Sequence, residues 1–214
     1  MPVSIRKYTE LKLAFSDYLQ RRNWVRLFEL CDTSDDETGK TIAAIMTLYD
    51  PKKVWSFVDY VHDLSREERR RRRDSVATVC FIIGKIGQTR TEKALADLRQ
   101  FLLDDHMLRV PVNSALSNLW VLDTRKTSTN IMKKWVLNNE DSDDLQEIGV
   151  KSSEYLAKNA PEKVTLFLRK VASLDDDCKV AAKTAKEVIE QSGIQIAKSN
   201  EQRIAPKVRR RKSA

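Results

Sequence analysis

Residues 83–105 read IGKIGQTRTEKALADLRQFLLDD, and the interpretation of this stretch decides the fold. An apolar segment runs into Gly87. Thr89-x-x-Glu92 then forms a capping box that opens an amphipathic pattern over roughly 91–103, and the pattern ends in a pair of aspartates. Two helices joined by a short turn are expected, with an acidic turn after the second.

Working outward, the same order recurs along the chain. The segments TGKTIAAIMTLY from Thr38, RRDSVATVCFIIG from Arg72, LRVPVNSALSNLW from Leu108, LQEIGVKSSEYL from Leu145 and CKVAAKTAKEVI from Cys178 align at offsets of 34, 36, 37 and 33 residues. In the last three, small or apolar residues coincide at Val112/Gly149/Ala182, Ala115/Ser152/Ala185 and Leu119/Leu156/Ile189. An amphipathic helix is expected before each, over roughly 9–31, 51–63, 91–103, 126–138 and 161–173. In the first of these, Leu11, Phe15, Tyr18, Leu19, Val25 and Phe28 recur at three- and four-residue steps. Helix starts are marked by Asp50 before Pro51, by Ser65-x-x-Glu68 and by Asn159 ahead of Pro161 and Glu162. Acidic turns (TSDDE, LDDH, EDSDD and LDDD) separate the two helices in four of the five units. Their carboxylates suit the free N–H groups of helix starts. Only 5 Gly and 5 Pro occur in 214 residues, too few turn-formers for a sheet-rich fold, and no strand pattern stands out.

A single helix pair of this length cannot bury its apolar face, whereas stacked copies bury a continuous core. Over about residues 9–192, and most specifically at 83–105, the sequence resembles the HEAT-repeat family. The resemblance implies an all-α fold: a right-handed α-α superhelix of about five helix pairs across residues 1–193, with second helices lining the concave side. Residues 194–214 lose the periodicity and read as a basic, flexible C-terminal tail.

Charge is unevenly placed. The formal net charge of +8 comes from the arginine-rich stretch 66–74 and the tail 198–214, while the remaining body is balanced. Two local basic patches support nucleic-acid binding less than a uniformly basic body would. Within the arginine run, Arg69 to Arg73 are expected inside a helix begun at Ser65, where five successive residues encircle the axis rather than form a stripe. Arg69 and Arg72 fall on the same face as Val76, Val79, Cys80 and Ile83, so that end of the helix is expected to project past its packing partners.

Little in the chain points to catalysis. Cys31, Cys80 and Cys178 lie far apart beside apolar positions and read as buried thiols. His62 and His106 are the only histidines, and their neighbours are expected to make them helix-surface or turn residues. Phosphate-loop, dinucleotide, nucleophile-elbow and zinc-protease motifs do not occur, so no metal and no small-molecule cofactor is expected. The amino terminus lacks a signal-peptide core, and the longest apolar run, VATVCFIIG, is too short for a bilayer. A soluble protein of the cytoplasm is expected, or of the nucleus if the source is eukaryotic.

Two readings of function follow. The first is a non-enzymatic scaffold or adaptor that holds a protein or a nucleic acid (DNA or RNA) along its concave face. The five equivalent positions on the second helices read Gly39, Arg73, Arg109, Gln146 and Lys179, with Asn113, Lys151 and Lys183 farther along the same helices; the basic members suit a ladder for phosphates or acidic side chains. The alternative for each is a bond to the acidic turn of the neighbouring unit. Arg209, Arg210 and Arg211 in the tail fit a nuclear localisation signal, a nucleic-acid contact or a solubilising end. The second reading starts from LWVLDTRK, residues 119–126, which is similar to the HEAT-like DNA alkylation repair glycosylases. That resemblance implies Trp120 and Asp123 as residues at a damaged base, although the family's paired tryptophans before an Asp-Thr-Val-Asp stretch do not occur here. Packing is the alternative for Trp120, because it adjoins the core position Leu119.

Overall fold

A computed structural model describes residues 5–33, 35–122, 135–136, 142–174 and 178–194. Among these residues the fold is all-helical, with no strand. The helices are α1 (Ile5–Arg21), α2 (Trp24–Leu30), α3 (Asp36–Met46), α4 (Pro51–Asp63), α5 (Arg66–Arg71), α6 (Arg73–Ile86), α7 (Thr91–Asp104) and α8 (Arg109–Leu122). After them come α9 (Asp143–Lys151), α10 (Glu154–Asn159), α11 (Thr165–Ala172) and α12 (Lys179–Gln191). Single 3₁₀ turns at Gly87–Arg90, His106–Leu108 and Pro161–Lys163 join several of them. The expected helix over 126–138, apart from Trp135 and Val136, lies outside the described residues, as do Asp123, Asp175–Asp177 and the tail from residue 195.

Local sequence explains several boundaries. Asp50 accepts from the Lys52 N–H at 2.9 Å with Pro51 in the first turn, so α4 starts where its cap and its proline agree. Its buried side chains, Val54, Trp55, Phe57, Val58 and Val61, then fall on one helical face. Asp35 in the first acidic turn accepts from the Glu37 and Thr38 amides and opens α3. Ser65 accepts from the Glu68 amide and opens α5.

Other boundaries differ from expectation. The first helix is broken at Arg22, whose φ of 54° is left-handed, and Asn23 caps a new helix. That break resets the helical phase, so Val25 is exposed while Phe28 is buried. Thr89 does not cap α7. It lies in the 3₁₀ turn, donates to the Ile86 carbonyl and accepts from the Trp55 indole N–H at 2.9 Å. Asn159 ends α10 and donates back to the Tyr155 carbonyl rather than opening α11. The arginine helix does not project. It breaks at Arg72 (φ −114°, ψ 45°) into α5 and α6, which lets the arginines reach a neighbouring turn instead of continuing one rod.

Several helices pack in chain order. Helix α3 lies against α6, α6 against α8, α8 against α9 and α9 against α12. Glycine makes two of these approaches close. A Cβ at Gly84 would sit 2.7 Å from the Ala115 Cα on α8, and one at Gly39 would sit 3.1 Å from side-chain atoms of Thr78 and Phe81 on α6. Helix α6 is buried almost all round, with Val76, Val79, Cys80, Phe81, Ile82 and Ile83 in the core. The matched small or apolar positions of the later units, Val112/Gly149/Ala182, Ala115/Ser152/Ala185 and Leu119/Leu156/Ile189, are all buried. Two apolar clusters meet at α8 and α9: Leu119, Trp135, Leu145 and Ile148 belong to the first, Trp120, Val136, Val150 and Leu156 to the second.

Candidate binding surface

The arginine run is spent largely on the acidic turn of the following unit. Arg69 is 8% exposed and directs Nε (2.9 Å) and one terminal nitrogen (2.5 Å) to Asp104 Oδ2. Its other terminal nitrogen donates to the carbonyls of His62 and Leu64 at the end of α4. One side chain thus serves the orphan carbonyls of one helix and a buried carboxylate at the end of another. Gln100 donates to the remaining oxygen, Asp104 Oδ1, at 3.0 Å. Arg66 donates to the Leu103 carbonyl at 3.2 Å, and Arg70 donates through Nε to the Asp104 carbonyl at 2.5 Å. Arg72 stacks its guanidinium 5.7 Å from the Phe28 ring centre. Arg71 pairs with Glu67 one turn away on the surface.

Arg73 of the expected ladder donates through Nε to Asp105 Oδ2 at 2.6 Å. Asp105 also accepts from the Met107 amide at 3.0 Å and caps the 3₁₀ turn. Burial raises the Asp105 pKa, but the Arg73 hydrogen bond and the Met107 amide outweigh it and hold the carboxyl below its usual value. Arg109 repeats the arrangement one unit on, bonding to Asp144 at 2.8 Å and to Glu147. Lys151 shares Glu147 at 2.6 Å. The hydrogen bonds from Lys151 and Arg109 keep Glu147 ionised to lower pH than usual, against a smaller opposing effect of burial. Lys179 is exposed, and Lys183 is exposed with Glu187 at 4.0 Å. The structure therefore ties Arg73, Arg109 and Lys151 to carboxylates and leaves the more open cations on α12. Arg209, Arg210 and Arg211 lie outside the described residues.

Several side-chain bonds between distant elements join residues a similar distance apart in sequence. Trp55 to Thr89 is 34 residues, Arg69 to Asp104 is 35, Lys85 to Asn118 is 33, Arg109 to Asp144 is 35 and Trp120 to Ser152 is 32. Gln146 on α9 accepts from the Ala181 amide in the first turn of α12, again 35 residues away. Helix packing, rather than any local motif, pairs these groups.

A second polar group lies between α4 and α7. Asp97 is buried, with His62 Nδ1 3.1 Å from Oδ1 and Lys93 Nζ 3.0 Å from Oδ2; Lys93 also reaches Asp59 at 2.8 Å. Burial pushes the Asp97 carboxyl up, partly offset by Lys93 and His62. His62 is thus a partner of a buried carboxylate rather than a plain surface residue. Sequence reasoning missed Asp97 and the buried role of Arg69. The available signal was an acid–base match at the repeat offset combined with a charge on an apolar helical face.

Trp120 is 3% exposed, packs edge-on against Phe167 at 5.8 Å and donates to Ser152 Oγ at 3.1 Å, so no face of its ring is open to a base. Asp123, its expected companion, lies outside the described residues. Cys31, Cys80 and Cys178 are buried and in no disulfide, and burial raises the pKa of Cys31 and Cys80. Among the described residues no cluster of three His, Cys, Asp or Glu is placed to hold a metal, and no helix is long and apolar enough to cross a membrane. Comparison with known proteins finds no family model, no curated protein and no solved structure that matches the chain.

Proposed function

We propose that the chain is a right-handed α-α superhelix of five HEAT-like helix pairs and acts as a non-enzymatic scaffold, holding a nucleic acid along its second helices. The serial contact of α3, α6, α8, α9 and α12 carries this reading, because helices stacked at one period offer an extended surface rather than a cleft. Inter-unit bonds one repeat apart stiffen that surface. Its cationic end is the last unit. Residues 179–214 hold ten Lys/Arg against three Asp/Glu, and Lys179 and Lys183 stand exposed on α12. Phosphates bind such a field with release of counterions, so affinity depends on salt. The glycosylase reading draws no support from Trp120, which is packed and hydrogen-bonded.

The test is a gel-shift salt titration with single- and double-stranded DNA and RNA. It compares the full chain, a deletion of 195–214, and the Lys179→Ala/Lys183→Ala pair. Steep salt dependence with weakening by the lysine pair is expected. If the deletion alone abolishes binding and the lysine pair has no effect, the helical surface is not the contact. A protein that binds no nucleic acid at low salt removes the proposal.

A further inference from the structure

The turn that receives the arginines has an outer side that the inter-unit bonds do not use. Arg70 and Arg73, three residues apart at the α5–α6 junction, are each held by Nε alone, to the Asp104 carbonyl and to Asp105 Oδ2. Among the described residues the terminal nitrogens of both arginines carry no further bond. Arg109 is a useful contrast, since both of its terminal nitrogens are engaged by Asp144 and Glu147. Fixing a guanidinium by Nε leaves two parallel N–H donors aimed away from the anchor, the geometry that grips a carboxylate bidentately. The acids beneath are hidden: Asp104 and Asp105 are buried, while Arg70 and Arg73 are exposed. The two carboxylates that anchor this turn are therefore buried beneath two exposed guanidiniums.

The same turn exposes large apolar side chains. Leu103 is 44% exposed, Met107 56% and Val110 64%, all within eight residues of chain. Arg66 bonds the Leu103 carbonyl, and Asp105 holds both the Met107 amide and Arg73, so these apolar groups and the arginines share one small region. We propose that this turn, residues 103–110 with Arg70 and Arg73, is a docking site for an acidic peptide segment of a partner protein. The segment's Asp or Glu side chains would seat on the two guanidiniums, and its apolar side chains on Leu103, Met107 and Val110. Charge complementarity selects an acidic ligand, and the apolar trio selects a peptide over a phosphodiester chain, which has no apolar side chain to bury there. The inference does not depend on nucleic-acid binding at the last unit.

The test is selection of a displayed random library of peptides about 12 residues long on the full chain, followed by fluorescence anisotropy of the selected peptides. Enrichment of sequences combining Asp/Glu with Leu, Ile, Phe or Met is expected. Met107→Ser/Val110→Ser changes exposed groups only and should weaken the selected peptides about tenfold, with the melting temperature unchanged. Arg73→Lys keeps a charge near Asp105 but removes the fork, and should weaken them as well. No acidic-apolar enrichment overturns the proposal, and so does affinity that survives both variants. If single-stranded DNA displaces the peptides and binds the Met107/Val110 variant normally, the arginines take phosphate and the peptide site is likewise overturned. Failure of the DNA titration at α12 leaves all of these readouts intact.

Discussion

Arg69 shows how much one side chain can hold. It connects the end of α4, through the His62 and Leu64 carbonyls, to Asp104 at the end of α7. Truncating one member of a buried pair leaves the other charge without compensation, so Arg69→Ala is expected to cost about 3–5 kcal/mol in urea unfolding with an unchanged m-value. Arg69→Met combined with Asp104→Leu should recover part of that loss, because no buried charge then remains. A single variant within about 1 kcal/mol of the parent would show that the pair is not a linchpin. Arg71, paired only with an exposed Glu67, is the comparison: Arg71→Ala should lie within about 0.5 kcal/mol of the parent. The sequence placed Arg69 on an apolar face without showing its partner, because Asp104 is 35 residues away and only packing brings the two together.

Helices in this chain are spaced by small residues and interrupted by polar ones. Gly84 is the tightest case, since a methyl group there would meet the Ala115 backbone on α8, which cannot rotate aside. Gly84→Ala is expected to destabilise by about 1–3 kcal/mol through forced separation of α6 and α8. Gly39→Ala meets side-chain atoms only, so a smaller drop in denaturation midpoint is expected there. The interruption between α9 and α10 uses Ser152 and Ser153, whose hydroxyls donate to the Gly149 and Val150 carbonyls. Ser152 also accepts from the Trp120 indole and offers its carbonyl to Ser117, binding the break to the previous unit. Ser152→Ala should therefore cost about 1–3 kcal/mol by leaving a buried indole N–H without an acceptor, with a matching change in tryptophan emission. Periodicity revealed these helices and their order. It did not reveal breaks at Arg22, Arg72 and Ser152, because helical spacing persists on each side of a break while the chain changes direction there.

Acid should loosen the whole stack through its inter-unit bonds. Asp105 and Glu147 have carboxyls held below their ordinary values, so the stability they supply is present above the unfolded carboxylate range, about pH 4, and is lost as pH falls through the lower folded values. Unfolding free energy should stay level from neutral pH to about pH 5 and then decline. Asp105→Asn with Glu147→Gln should lower stability at pH 7 and flatten the acid limb, as read by urea midpoints across pH. Asp97 acts in the opposite sense, because its raised value adds stability as it protonates; Asp97→Asn should make the acid limb steeper. A flat profile in the parent protein would contradict the assignment of these carboxylates. At this scale the sequence by itself determined the all-helical class and the buried small or apolar positions, because these follow from local propensity and from apolar spacing along one chain. Only the tertiary structure decided that Arg73 and Arg109 are bonded to carboxylates, that Trp120 is packed, and that Arg70 and Arg73 present open donors beside Leu103, Met107 and Val110. The physical reason is that a hydrogen bond is fixed by distance and direction in space, and residues so far apart in sequence acquire both only when the helices pack.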